Sequence, residues 1–271
     1  MPTCIATSHP SVQAIVKGLR RLGGRLLRSW QSRLDGRIVR VNGPQGLAFN
    51  WISNSRYPEA MSRGDYEHDF ARALLRVLRP GDTFFDVGAN AGYFSLLAKL
   101  RVGTGTVVAF EPLPENIRMI RAVEAVNPNV TFDLVEGAVG AYDGEISFEV
   151  TKNNANGRLT GVTWVLAKPA IQQVVVRCVH LLPFLQKYRP AVVKLDTEGA
   201  EFTILSSLGS PSEWKGLPIF LIEFHGQENT DRCSGVLRNW GYQLFPAASC
   251  SETREIPDQY VMAVPSTRGE N

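Results

Sequence analysis

One segment, DTFFDVGANAGYFSLLA at residues 82–98, constrains the fold more than any other. Thr83 to Val87 is β-branched and aromatic, so it reads as a buried strand. Small, turn-forming residues follow, and Tyr93 to Leu100 returns to helical spacing. A strand, a tight glycine turn and a helix in that order build a nucleotide-binding crevice at the strand's C-terminal edge. Gly88 and Gly92 let the backbone bend sharply and approach a ligand that a Cβ would push away.

The next strand carries the second half of the signal. Gly105 to Glu111 is a short apolar run ending in a carboxylate, and Pro112 stops the ladder. Glu111 falls about twenty residues beyond the glycine turn, the spacing at which an acid accepts hydrogen bonds from ribose hydroxyls. A carboxylate can take both hydroxyls of a vicinal diol, which an amide or a lysine cannot. The two segments together point to an adenosine site.

The turn reads Gly-x-Asn-x-Gly, so the dinucleotide fingerprint Gly-x-Gly-x-x-Gly is not met, and no P-loop occurs. Asp86, just before the turn, would repel a pyrophosphate but suits an amino group and a sulfonium. That charge pattern points to S-adenosyl-L-methionine (SAM). The plainer reading of Asp86 is a turn-capping aspartate.

These residues resemble the FkbM-type SAM-dependent methyltransferases over about residues 60 to 225. The resemblance rests on Tyr66-Glu67, on Gly81-Asp82 leading into residues 86–93, and on Ala109-Phe110-Glu111-Pro112 with Glu115-Asn116 behind it. It continues at VKLDTEGAE, residues 193–201, and at LIEFH, residues 221–225. The Lys-x-Asp-x-Glu-Gly-Ala-Glu block is the most specific part, since many methyltransferases share the glycine turn. One departure is visible: where the family often carries Leu-Asp opening a helix, this chain has Val179-His180, and His180 is a poor N-cap. The resemblance implies an α/β, Rossmann-like class I sheet of seven mostly parallel strands with an antiparallel closing hairpin. The expected cofactor-binding residues are Asp86, Gly88, Asn90, Gly92, Glu111, Ala138 and Asp196.

A chain of 271 residues accommodates one such domain with an appendage. The organisation expected is a cap over residues 1–60, a methyltransferase domain over 61–265 and a disordered tail over 266–271. Apolar content of 44% and charged content of 20% are ordinary for a globular protein. A net charge of +3 is too small to argue for nucleic acid as a partner. Cys4, Cys178, Cys233 and Cys250 are scattered and form no Cys-x-x-Cys pair, which suits reduced thiols in the cytoplasm.

Residues 1–34 lack acids but carry Lys17, Arg20, Arg21, Arg25, Arg28 and Arg33. Ile15, Leu19, Leu22, Leu26 and Trp30 share one helical face. Three readings compete: a helix on an anionic membrane surface, a transit peptide, or a helix packed over the catalytic domain. Basic residues interrupt every apolar stretch, which argues against a secretory signal.

Beyond it, residues 37–41 and 47–51 flank a Gly-Pro turn and read as a hairpin within the cap. A helix is expected from Tyr66 to Leu78. Strands near 83–87, 106–111, 131–135, 191–196 and 218–224 then alternate with helices near 93–100, 114–126 and 200–208, the rhythm of a covered parallel sheet. Residues 145–150 and 173–178 look like additional strands around a polar loop at 152–158, a candidate part of the acceptor pocket. Residues 242–245 and 259–264 are expected to close the sheet.

Methyl transfer from a sulfonium is an in-line displacement, so a protein mainly aligns the partners and excludes water. A hydroxyl acceptor also needs a base. Asp196 and Glu198 follow one core strand, and Glu223 and His225 end its expected neighbour. His225, Asp196 and Glu198 are the catalytic candidates, with His225 as general base. The same cluster could instead hold a divalent cation, although no tight ligand spacing supports a metal. Glu201 reads as an ordinary acid in a helix's first turn, and Lys194 as the partner of a core carboxylate. The expected function is SAM-dependent O-methylation of a sugar or small natural-product hydroxyl. The rivals are N- or C-methylation of a similar molecule and a SAM-binding protein without turnover.

Overall fold

The computed structural model describes residues 36–151, 157–160, 170–247 and 260–266. The basic N-terminal segment, residues 152–156 of the polar loop, Cys4, Cys250 and the tail from 267 lie outside the described residues. Cys178 and Cys233 are buried free thiols.

A seven-stranded sheet organises the chain. Its parallel core comprises β3 (Phe84–Val87), β4 (Val107–Glu111), β5 (Asp133–Glu136), β10 (Val192–Leu195) and β11 (Ile219–Glu223). The antiparallel strands β12 (Tyr242–Pro246) and β13 (Tyr260–Pro265) close it, giving the order β12-β13-β11-β10-β3-β4-β5. Every residue of β3, β4 and β10 is buried, which explains why these segments are continuous apolar runs rather than alternating ones.

Successive side chains feed opposite faces. Phe84, Ala109, Val192 and Leu221 enter one core with α2 (His68–Val77), α3 (Tyr93–Val102) and α4 (Pro114–Val126). Phe85, Val108, Val193 and Phe220 enter the other, with α5 (Leu182–Tyr188), α6 (Glu201–Ser207) and α7 (Gln227–Asn239). Pro80-Gly81 ends the α2 segment as the sequence suggests, although the helix opens at His68, after Tyr66 and Glu67.

The hairpin of β1 (Ile38–Asn42) and β2 (Ala48–Ile52) packs into the first core, followed by the short helix α1 (Glu59–Arg63). Phe49 and Trp51 meet Tyr93 edge-on, with centroids 6.0 and 5.6 Å apart. Asn127, just past α4, accepts from the Asn50 amide at 2.9 Å and donates to the Asn50 carbonyl at 2.8 Å. The hairpin is therefore fixed to the end of α4.

The two additional strands are longer than expected: β7 (Gly144–Thr151) pairs antiparallel with β9 (Ala170–His180). They belong to a second sheet of order β6-β9-β7-β8, with β6 (Ala138–Gly140) and β8 (Gly157–Leu159). At three residues each, β6 and β8 are too short for periodicity to reveal. His180 is no helix cap. It ends β9, and α5 begins after Leu181 without a side-chain cap.

Candidate active site

The C-terminal ends of β3, β4, β10 and β11 open into one cleft. Gly88, Asn90, Glu111 and Leu113 line one end, and Ala138 and Val139 its side. Phe148, Gly157 and Leu159 bring the second sheet onto the same space, next to the polar loop singled out in the sequence. Glu67, Asp196, Glu198 and Glu223 line an acidic end.

The turn after β3 is held from two sides. A Cβ on Gly88 would stand 1.9 Å from the Asp196 carbonyl oxygen, and φ is +78°. The glycine is thus demanded first by the close passage of the chain leaving β10, and only then by any ligand. Gly92 lies outside the cleft lining; at φ +80° it precedes α3, and a Cβ there would press on Ile120 at 3.1 Å. Asn90 also takes a left-handed conformation, φ +53°, and its amide donates to Glu111 Oε2 at 2.8 Å.

Glu111 is 4% exposed. Besides the Asn90 amide it accepts the Leu113 amide at 2.9 Å and a bond from the Asn116 side chain. A carboxylate offers about four acceptor positions, so this one retains room for a single ribose hydroxyl rather than a grip on both. Burial pushes its carboxyl up to about 7, against the pull of those donors and of Lys194.

Asp86 does not reach the cleft. It is fully buried, with Ser95 Oγ donating to Oδ2 at 2.6 Å and Lys194 Nζ 3.0 Å from Oδ1. Lys194 also donates to the Gly88 carbonyl at 3.0 Å and lies 3.4 Å from Asp196. Burial alone would lower the lysine's pKa, but Asp86 and Asp196 outweigh it and hold the ammonium above the ordinary lysine value. The lysine inside an apolar strand is a brace between the glycine turn and β10.

At the acidic end, His225 is 7% exposed and does not itself line the cleft. Its Nδ1 is 3.1 Å from Glu201 Oε1, while Nε2 lies 3.7 Å from Glu198 and 3.6 Å from Glu223. Burial opposes the charged ring, yet Glu201, with Asp196 and Glu223, carries it up to about 9. An imidazolium cannot take a proton at neutral pH, so the expected base is occupied.

Glu201 is far more than a first-turn acid. It is fully buried, and its Oε1 accepts from Thr197 N and Oγ1, both at 2.9 Å, and from Gly199 N at 3.1 Å, besides His225. Asn229 of α7 donates to Oε2 at 2.5 Å. Burial pushes its pKa up, but the His225 bond and charge and the backbone amides bring it below the usual carboxylate range. This one side chain fixes the turn that presents Thr197 and Glu198, the latter at φ +57°. Glu198 makes no cap on α6, whose N-cap is Ala200.

Glu67 is the cleft residue to which the sequence assigned no role. It sits at φ +41° ahead of α2; the Tyr66 hydroxyl bonds its carboxylate, and its Oε2 is buried without a hydrogen-bond partner. Burial and the neighbouring Asp196 charge push its carboxyl up, and Glu223 is pushed up for the same reasons. Three non-glycine residues with positive φ therefore border one cleft, strain of the kind that accumulates at working sites.

Comparison with known proteins agrees with this geometry. A family model described as the methyltransferase FkbM domain matches residues 86–244. The chain belongs to the FkbM methyltransferase family. Membership of that family implies methyl transfer from SAM. It is similar to 31-O-demethyl-FK506 methyltransferase FkbM of Streptomyces tacrolimicus, 56% identical over 45 residues. That alignment spans 17% of this chain and 17% of the relative.

Among solved structures, precorrin-6y C5,15-methyltransferase of Geobacter metallireducens aligns at 14% identity and a TM-score of 0.45, covering 73% of this chain and 87% of that one. A SAM-dependent O-methyltransferase of Thermotoga maritima aligns at 13% identity and a TM-score of 0.43, covering 84% and 76%. No helix among the described residues is long and apolar enough to cross a membrane.

Proposed function

We propose that this protein methylates a hydroxyl group of a sugar or small natural product, using SAM held in the cleft between β3, β4 and β10. The observation that carries the reading is the meeting, in one cleft, of a recess beside Glu111 and the glycine turn with an acidic end beyond it. Bound SAM supplies an electrophilic methyl on a sulfonium.

The chain's own residues have the remaining tasks. Glu111 accepts a ribose hydroxyl, Asn90 and Leu113 shape the recess, and Ala138 contributes an apolar wall. Phe148 and Leu159 shield the site, excluding water from an acceptor aligned there. Glu67 takes the acceptor's proton: it borders the cleft, burial and Asp196 raise its basicity, and one oxygen lacks a partner. Asp196 and Glu198 provide the negative field around it, while His225, bonded to Glu201, positions the carboxylates from behind. The relative's name, which describes a 31-O-demethyl compound, supports oxygen over nitrogen or carbon.

Incubation with 13C-methyl SAM and a panel of hydroxyl compounds tests the reading. A methoxy carbon in the product, with S-adenosylhomocysteine released, is expected. Label found only on nitrogen or carbon would refute oxygen as the acceptor atom.

A further inference from the structure

A carboxylate oxygen from Asp196, one from Glu223 and a ring nitrogen of His225 lie within 4.8 Å of one another at the acidic end of the cleft. We propose that these residues hold a divalent cation of the Mg2+ or Mn2+ class, which in turn binds the acceptor oxygen. The ligand set is two hard oxygens and one imidazole, presented by the ends of two adjacent parallel strands.

Two further observations point to a cation. The first is the orientation of the imidazole. Glu201 Oε1 stands 3.1 Å from Nδ1, which leaves Nε2 turned towards Glu198 and Glu223. A buried carboxylate behind the far nitrogen is the arrangement that orients histidines on metals. On loading, the cation takes the place of the second ring proton.

The second is Glu67 on the same cleft: the Tyr66 hydroxyl bonds its carboxylate, yet its buried Oε2 meets no donor. A buried oxygen without a partner is costly. The lysine of this region does not supply one, because Lys194 is spent on Asp86 and Gly88 with a longer contact to Asp196. A hydrated cation held by Asp196 and Glu223 would bring bound water within reach of this oxygen.

The chemical consequence rests on the methyltransferase reading. A cation that binds the acceptor oxygen lowers its pKa, and Glu67 then removes the proton more readily. Cation binding itself does not depend on that reading.

Mn2+ titration of the full chain without SAM, followed by electron paramagnetic resonance, tests the site. One saturable Mn2+ per chain, displaced by Mg2+, is expected. Asp196→Asn and Glu223→Gln should each weaken it at least tenfold, and Glu201→Gln by about 10–100-fold, with circular dichroism confirming folded variants. In the wild type, independent of any variant, bound Mn2+ should broaden the ring resonances of His225 well before those of exposed His68. No saturable site, a site unchanged by Asp196→Asn and Glu223→Gln, or no selective broadening of His225 would each overturn the proposal. Calorimetry with SAM separates the two readings. SAM binding without a Mn2+ site sinks only the cation, and a Mn2+ site without SAM binding sinks only the cofactor assignment.

Discussion

Lys194 Nζ donates to the Gly88 carbonyl at 3.0 Å, so a charged side chain from β10 grips the turn that follows β3. The same nitrogen neutralises Asp86, which has no contact with solvent. Breaking a buried ion pair from one side leaves an uncompensated charge. Lys194→Met is therefore expected to lower stability by about 3–5 kcal/mol, measured by urea denaturation. Lys194→Arg should not restore it, since a planar guanidinium cannot reproduce three convergent contacts of one ammonium. A loss below about 1 kcal/mol would show that the brace is unimportant.

Glu111 makes stability depend on pH in a stated direction. Its folded-state pKa is raised from 4.5 to about 7 by burial. The folded protein holds this proton where the unfolded chain has released it. Stability from this group is thus complete below about 4.5 and is lost as pH rises to about 7, on the order of 3 kcal/mol in all. Comparing wild type with Glu111→Gln by denaturation at pH 4.5 and 7.5 isolates this slope, which the variant should lack.

The same carboxylate should link SAM affinity to pH. A hydroxyl donor favours the ionised form, so binding should tighten about tenfold between pH 6 and pH 8, following the ionised fraction. Glu111→Gln should bind more weakly by about 2 kcal/mol at pH 8, having lost a charge-assisted bond. Calorimetry in buffers of different ionisation enthalpy would also detect the proton released. A pH-independent affinity in the wild type would show that Glu111 does not touch the nucleoside.

The sheet was legible because its parallel strands are buried on both faces and so appear as unbroken apolar runs between turn residues. Glu111 was legible as the acid that ends β4 because an apolar run closing on a carboxylate and a proline marks a strand's end. The short strands β6 and β8 carry no period, and α7 has a largely polar sequence, GQENTDRCSGVLRN from its cap. Glu201 was misjudged for a related reason. Its local position is that of a first-turn acid, but its burial comes from His225 and Asn229, 24 and 28 residues away. Asp86 shows the reverse error: a charge beside the turn suggested a ligand contact, whereas Lys194, 108 positions later in the chain, claims it. No local pattern encodes such contacts.

Glu67 offers the sharpest separation of binding from chemistry. Its carboxylate lines the cleft apart from Glu111, and its Oε2 meets no donor. Glu67→Gln keeps the size and the left-handed backbone but removes the proton acceptor. The expected result is a fall in kcat of about 10²–10⁴-fold with SAM affinity within about twofold of wild type. Steady-state kinetics with a saturating acceptor, beside calorimetry, measures both. Residual activity of the variant should recover at higher pH, where hydroxide or solvent begins to share the proton transfer, while the wild-type rate changes less. If kcat is unaffected, the proton leaves by another route, and the unpartnered oxygen of Glu67 then belongs to acceptor or cation binding instead.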